Sequence, residues 1–153
     1  MIVGIDPGVT GALAFYDNDR TLSTGWLVYD MPVVGNILDA SALQYWLLNH
    51  KPEHCYLEFV TSHPHDGRMG AFRLGGMFFA IRAVLSCCKI PYELVTPAKW
   101  KKYYHLGKDK EKSRLKALEL FPKASAMLAR KSDHNRAEAM LIAYYGAKNV
   151  RLV

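Results

Sequence analysis

Two carboxylates interrupt apolar runs in this chain. Asp6 ends IVGID (residues 2–6) just before a Pro-Gly turn, and Glu58 lies within HCYLEFV (54–60). An acid on an otherwise buried strand is costly unless it is paired or holds a cation. If the two strands are neighbours, the acids lie side by side, repel, and raise each other's pKa until a cation sits between them. Hard oxygen donors of this kind select Mg²⁺ or Mn²⁺. A third group comes late in the chain: SDHNRAEAMLIAYYG places Asp133, His134 and Glu138 in the first turns of a helix. His134 and Glu138 are four residues apart and share a face. Carboxylates around a pair of divalent ions form a phosphodiester-cleaving centre, in which one ion activates a water and the other stabilises the leaving oxygen. Asp6, Glu58, Glu138, Asp133 and His134 are therefore the candidate metal ligands. Each also has a plainer role open to it. Asp6 can cap the PGVT turn, Glu58 can pair with a buried arginine, Asp133 can be a helix N-cap, and His134 can face solvent.

A phosphodiester centre needs a cationic surround. The chain has 153 residues and a formal net charge of +6. KWKKYYHLGKDKEKSRLK (99–116) is dense in Lys and Arg, with Asp109 and Glu111 as its only acids. Localised positive charge is the footprint of a polyanion-binding face, although a solvated helix face has the same composition. Lys99, Lys101, Lys102, Lys108, Lys110, Lys112 and Arg114 are the candidate phosphate contacts there, joined by Arg73. The three cysteines (Cys55, Cys87, Cys88) are odd in number and two are adjacent. That argues against a disulfide framework and for a reducing, cytoplasmic setting. The apolar runs are interrupted short of ~18 residues, so no membrane span is expected, and no leader is expected at the N-terminus.

A small set of elements must position these groups. Residues 2–6, 11–16 and 22–31 predict an antiparallel meander. DASALQYWLLNH (39–50) predicts a helix capped by Asp39, with apolar spacing at Leu43, Trp46 and Leu47, and ended by Pro52. Residues 54–60 predict a strand, and TSHPHDGR (61–68) a loop. Residues 69–88 predict a long helix, apolar nearly all round except for Arg73 and Arg82, which must therefore be buried on more than one side. A strand at 92–96 leads to a helix opened by Pro97 and broken by Gly107, then a charged helix over 109–121, and a last helix over 134–147. The whole implies one α/β domain over residues 1–153, a mixed sheet flanked by helices.

These motifs resemble the RuvC family of Holliday junction resolvases within the RNase H-like superfamily. GIDPGVTGALAF is similar to that family's opening strand and turn, YLEFV to its strand with a catalytic glutamate, and AEAMLIAYYG to its final helix, whose motif ends in an acid-Ala pair. KEKSRL resembles the segment with a lysine near the active site, here Lys112. KKYYHLG resembles one with a DNA-contacting lysine, here Lys102. The resemblance implies an RNase H-like five-stranded mixed sheet and a homodimer that makes paired cuts in four-way DNA. It implies two Mg²⁺ or Mn²⁺ ions per site held by Asp6, Glu58, Glu138 and one of Asp133, His134 or Asn135. Family members carry an acid or His where Asn135 stands. The resemblance also suggests a phage-type member. Phe72 and Arg73 would reach the junction centre, and the apolar 69–88 helix, with Gly75, Gly76, Met77, Phe78 and Phe79, would meet its twin across a two-fold axis. Flaps and forks are further substrates the resemblance allows. Two other readings compete: a branched-DNA-binding protein of this fold without catalysis, motivated by Asn135, and an actin-like nucleotide-binding domain, because GIDPGVTG also resembles that phosphate loop. The latter needs a second lobe, for which 153 residues leave no room.

Overall fold

Strand β1 (Ile2–Asp6) is apolar on both faces and fully buried, as a central strand must be. In the computed structural model, which describes residues 1–62, 65 and 67–149, it pairs antiparallel with β2 (Ala12–Tyr16), which pairs antiparallel with β3 (Trp26–Asp30). The chain then makes a two-residue hairpin, β4 (Val33–Val34) and β5 (Ile37–Leu38), turned at Gly35 with φ of 62°. Helix α1 (Ala40–His50) follows, and β6 (His54–Glu58) joins β1 in parallel. Helix α2 (Arg68–Cys87) leads to β7 (Tyr92–Val95), parallel to β6. The sheet order is β3-β2-β1-β6-β7, the five-stranded mixed sheet expected. Three helices close the chain: α3 (Pro97–Tyr103), α4 (Lys110–Leu120) and α5 (His134–Asn149).

Period-two alternation assigns each strand residue to a layer. Val3, Ile5, Leu13, Phe15, Cys55 and Leu57 pack with Leu43 and Leu47 of α1 and with Met77, Phe78, Ile81 and Leu85 of α2. Ile2, Ala12, Ala14 and Tyr56 pack on the other side, against α5 and the helices around it. Helix α5 lies unusually close to the sheet because the residues between are small: Ala12, Ala14, Ala139 and Ala143 are fully buried. A methyl on Gly4 would fall within 2.8 Å of the Ala143 Cβ and closer still to the Ala139 carbonyl. One on Gly146 would enter the Tyr56 ring.

Several boundaries differ from those the sequence predicts. The third strand starts only at Trp26, after Gly25 in the left-handed region (φ 79°). Helix α1 is capped by the Asp39 carboxylate as expected. It ends at a left-handed Lys51 whose N–H donates to the Leu47 carbonyl, so the stop precedes Pro52. Helix α3 ends before a left-handed His105 (φ 56°), two residues short of Gly107. The β4–β5 hairpin was not expected from the sequence. In the predicted loop 61–68, His63, Pro64 and Asp66 lie outside the described residues. Helix α2 is not buried on several sides in the single chain: Met69, Phe72 and Phe79 are 60, 77 and 63% exposed. By length and composition alone α2 would suffice for a bilayer span, as a core helix packed on a sheet also can. It carries Arg73 and Arg82, and its buried stripe is seated on the sheet.

Candidate active site

In the β1–β6 register Ile5 stands opposite Leu57, so Asp6 and Glu58 are neighbours at the carboxyl ends of two parallel strands. Even-numbered residues of both strands face α5, so both acids do too. Helix α5 brings Glu138 onto the same face. All three are buried, at 8, 9 and 4% exposure. Burial raises the Asp6 carboxyl well above its ordinary value of 3.8, and Glu58 and Glu138 push it further. Burial likewise raises Glu58, opposed by a hydrogen bond from Trp100 and reinforced by Glu138. The three acids sense one another across three separate segments of chain.

Each acid is held differently. The Trp100 Nε1–H donates to Glu58 Oε1 at 2.8 Å. Ser113 Oγ donates to Glu138 Oε1 at 3.1 Å, and the Lys101 ammonium lies 3.4 Å from the same oxygen. Lys101 also sits 5.1 Å over the Trp100 ring. No described residue donates a hydrogen bond to the Asp6 carboxylate, so it is neither the cap of the PGVT turn nor half of an ion pair. A largely buried carboxylate crowded by two others is what a cation site provides. Among the described residues no three His, Cys, Asp or Glu side chains already form a tight ligand cluster. The donor set nevertheless suits a hard divalent ion, being all oxygen, anionic and buried.

The structure separates the remaining candidates. Asp133 is buried, but its carboxylate is taken by Arg130 at 2.7 Å, by the Arg130 N–H and by Arg136 at 3.8 Å. His134 Nδ1 lies 3.1 Å from the Lys131 carbonyl on the outer side of the helix start. Neither joins the carboxylates: Asp133 is held by the two arginines, and His134 lies against the Lys131 carbonyl. Asn135, one turn before Glu138, faces the site instead. Its Nδ2 donates to the Thr10 carbonyl and its Oδ1 accepts from Lys110 at 3.3 Å. Arg136 fastens this end of α5 to β3 through Asp30, at 2.6 and 2.7 Å.

The cationic segment divides in the same way. Lys101 and Lys110 act electrostatically on the acids, Lys110 from an exposed position, whereas Lys102 and Lys112, the lysines singled out by resemblance, are exposed and do not act on Asp6 or Glu58. On α4 the inward face is Ser113 and Ala117, and Lys110 is in phase with them. Lys112 is out of phase. Lys102 and Lys108 line a groove of about 970 Å³ with His65, Lys101 and His105, next to the carboxylates. Arg114 is not free for phosphate: it makes a fork onto Glu111 and donates to the Leu128 carbonyl. Lys99 lies near the far end of α5, beside Tyr56, Glu93 and Asn149. Arg73 and Phe72 are exposed on α2, beside the hairpin residues Ile37 and Leu38. Sequence reasoning missed Trp100 and Ser113. The signal for Ser113 was present in its i, i+3 and i, i+4 spacing from Lys110 and to Ala117.

No family model matches this sequence, and no curated protein matches it. Solved structures do. Thermus thermophilus RuvC in complex with a Holliday junction substrate superposes with a TM-score of 0.69 at 19% identity, covering 95% of this chain and 91% of that one. The chain has the RuvC fold. The Fowlpox virus resolvase, solved with a Holliday junction DNA, gives a TM-score of 0.59 at 13% identity over 98% of this chain and all of that one. The yeast mitochondrial Holliday junction resolvase Ydc2 gives 0.55 at 18% identity over 93 and 75%. The RuvC fold spans nearly the whole chain, sheet and closing helices included.

The raised carboxyls carry a consequence for stability. A group with a higher pKa in the folded chain holds its proton more tightly there, so folding is favoured while it is protonated and loses that advantage as pH rises. In the presence of chelator, Asp6 and Glu58 should lower the melting temperature as pH rises from the ordinary carboxylate range, 3.8 to 4.5, through the raised values, against the rise contributed by Asp17, Asp30, Glu111 and Asp133, whose carboxyls are held low. Asp6→Asn should remove the Asp6 part, so the wild type loses melting temperature relative to the variant as pH rises, and excess Mg²⁺ should reverse that difference. Thermal melts across pH in each condition check this, and a wild-type slope equal to that of D6N would contradict it.

Proposed function

We propose that this chain is a divalent-metal-dependent endonuclease that resolves four-way DNA junctions by paired phosphodiester cleavage, acting as a homodimer in a reducing cytoplasm. The observation that carries the reading is the convergence of three largely buried carboxylates, Asp6 adjacent to Glu58 and faced by Glu138. Asp6, Glu58 and Glu138 would hold Mg²⁺ or Mn²⁺. When bound, such an ion activates water and offsets charge on the leaving oxygen. Trp100 and Ser113 orient Glu58 and Glu138, so the ligands do not have to be ordered at the moment of reaction. Lys101 and Lys110 bring positive charge to the scissile phosphate, and the groove lined by Lys102 and Lys108 takes the adjoining duplex backbone.

Branched DNA as substrate is supported by the two fold neighbours solved with Holliday junctions. The homodimer is supported by the exposed apolar face of α2, with Met69, Phe72 and Phe79. The free thiols at Cys55, Cys87 and Cys88 agree with a reducing setting.

The test is cleavage of a panel of end-labelled synthetic DNAs (four-way junction, fork, flap, linear duplex) in Mg²⁺ and Mn²⁺, with products mapped on every strand. The expected result is a pair of nicks on opposed strands of the junction and little product from linear duplex. Equal nicking of linear duplex would overturn the junction specificity. Junction binding with no nicking in either metal would leave a DNA-binding protein of this fold and no enzyme.

A further inference from the structure

On the metal-dependent reading, the carboxylate centre is short of negative charge for a pair of divalent ions, and the inference drawn from that shortage rests on that reading. Among the described residues three acids meet there: Asp6, Glu58 and Glu138. The next position of α5 facing the site is Asn135, a neutral amide that is 8% exposed. Both ends of that amide are committed. Nδ2 donates to the Thr10 carbonyl, and Oδ1 accepts from the Lys110 ammonium at 3.3 Å. Flipping the amide to change its facing oxygen would set two donors together at Lys110 and two acceptors together at Thr10, leaving buried polar groups unsatisfied. Asn135 therefore acts as a seat for Lys110.

The charges around this seat decide what else fits. Lys110 is within electrostatic range of both Asp6 and Glu58, as is Lys101, which lies 3.4 Å from Glu138. Three carboxylates and two ammonium groups leave a single net negative charge. One divalent ion turns that into a single positive charge, which matches one phosphodiester. A second ion would leave three positive charges around the buried carboxylates, and like charges so close oppose one another. We infer that this chain binds one divalent ion, at Asp6, Glu58 and Glu138, and that the Lys110 ammonium seated on Asn135 stands in the place of a second. The position would then be filled by a side chain that needs no free metal to be present.

The count can be read without any cleavage assay. Mn²⁺ is titrated into the full chain free of DNA, and unbound Mn²⁺ is followed by electron paramagnetic resonance. The expected result is one ion per chain, with affinity weakened in Asp6→Asn by at least the roughly tenfold that lesser losses around metal sites cause. Lys110→Met combined with Asn135→Asp should take up a second Mn²⁺, with circular dichroism melts confirming the fold. Two ions of similar affinity on the wild type would overturn the inference, whether or not the double variant folds. So would a folded double variant that stays at one ion, the outcome if Lys110 is only a phosphate contact. Both failures leave the nuclease reading standing. A wild type that binds no Mn²⁺, or binds it no better than D6N, overturns that reading and this inference with it.

Discussion

Asp6→Asn is expected to nick a synthetic four-way junction on the order of 10³-fold more slowly than the wild type, the size of loss that removing one preorganised charge-stabilising group causes elsewhere. The change is nearly isosteric, so it tests charge and not shape. Junction binding should persist, because Lys101, Lys102, Lys108 and Lys110 supply phosphate attraction that owes nothing to Asp6. The variant should also melt higher than the wild type in chelator at neutral pH. Burial and two neighbouring acids disfavour the charged form of the wild-type carboxylate, and the amide carries no charge to disfavour. Activity and stability thus move in opposite directions, a signature that a purely structural aspartate would not give. Gel-shift, nicking and melting measurements on one preparation settle it. Undiminished nicking would remove Asp6 from the centre.

The second large effect is expected from Gly4→Ala. The added methyl has nowhere to go: it meets the Ala139 carbonyl and Ala143 of α5, backbone that cannot rotate aside. Either the helix lifts or the strand bends, at a cost of about 3 kcal/mol, which is roughly a 10 °C drop in Tm for a domain of this size. A lifted α5 carries Glu138 and Asn135 with it, so nicking should be lost at temperatures where circular dichroism still shows folded chain. Gly8→Ala, in the turn beyond β1, has no such neighbour within van der Waals reach of its Cβ other than the Gly11 N at 3.9 Å. Its effect should be confined to backbone strain at φ 138°. A Gly4→Ala variant that melts with the wild type would show that α5 is not seated as described.

The strand-borne half of the site was legible in the sequence. IVGID and HCYLE are short, apolar and each carry one acid, and alternation leaves only the question of whether the strands are adjacent. Local rules read the helix-borne half less well. Asp133 looks like an N-cap or ligand from its position alone, yet Arg130 and Arg136 engage it, and arginines three residues away on either side do not announce which acid they will choose. Lys110 and Lys112 differ only in helical phase, which becomes readable once Ser113 and Ala117 are recognised as the small residues that let α4 approach α5. Trp100 offered no signal, since a buried tryptophan in a basic segment reads as core, and only the fold shows its N–H meeting Glu58. The apolar excess of α2 was visible in the sequence, and the side that one chain leaves exposed is the one read there as meeting a twin.

The seating of α5 on glycine and alanine has a consequence for how the molecule breathes. With backbone pressed to backbone and no long side chains to act as springs, β1 and α5 have no shallow way to part. Their amide hydrogens should therefore exchange with solvent only when the entire chain opens. On the proposed function, whatever adjustment a bent, four-armed nucleic acid demands would be made on the other side of the sheet, by α2 and the hairpin beside it.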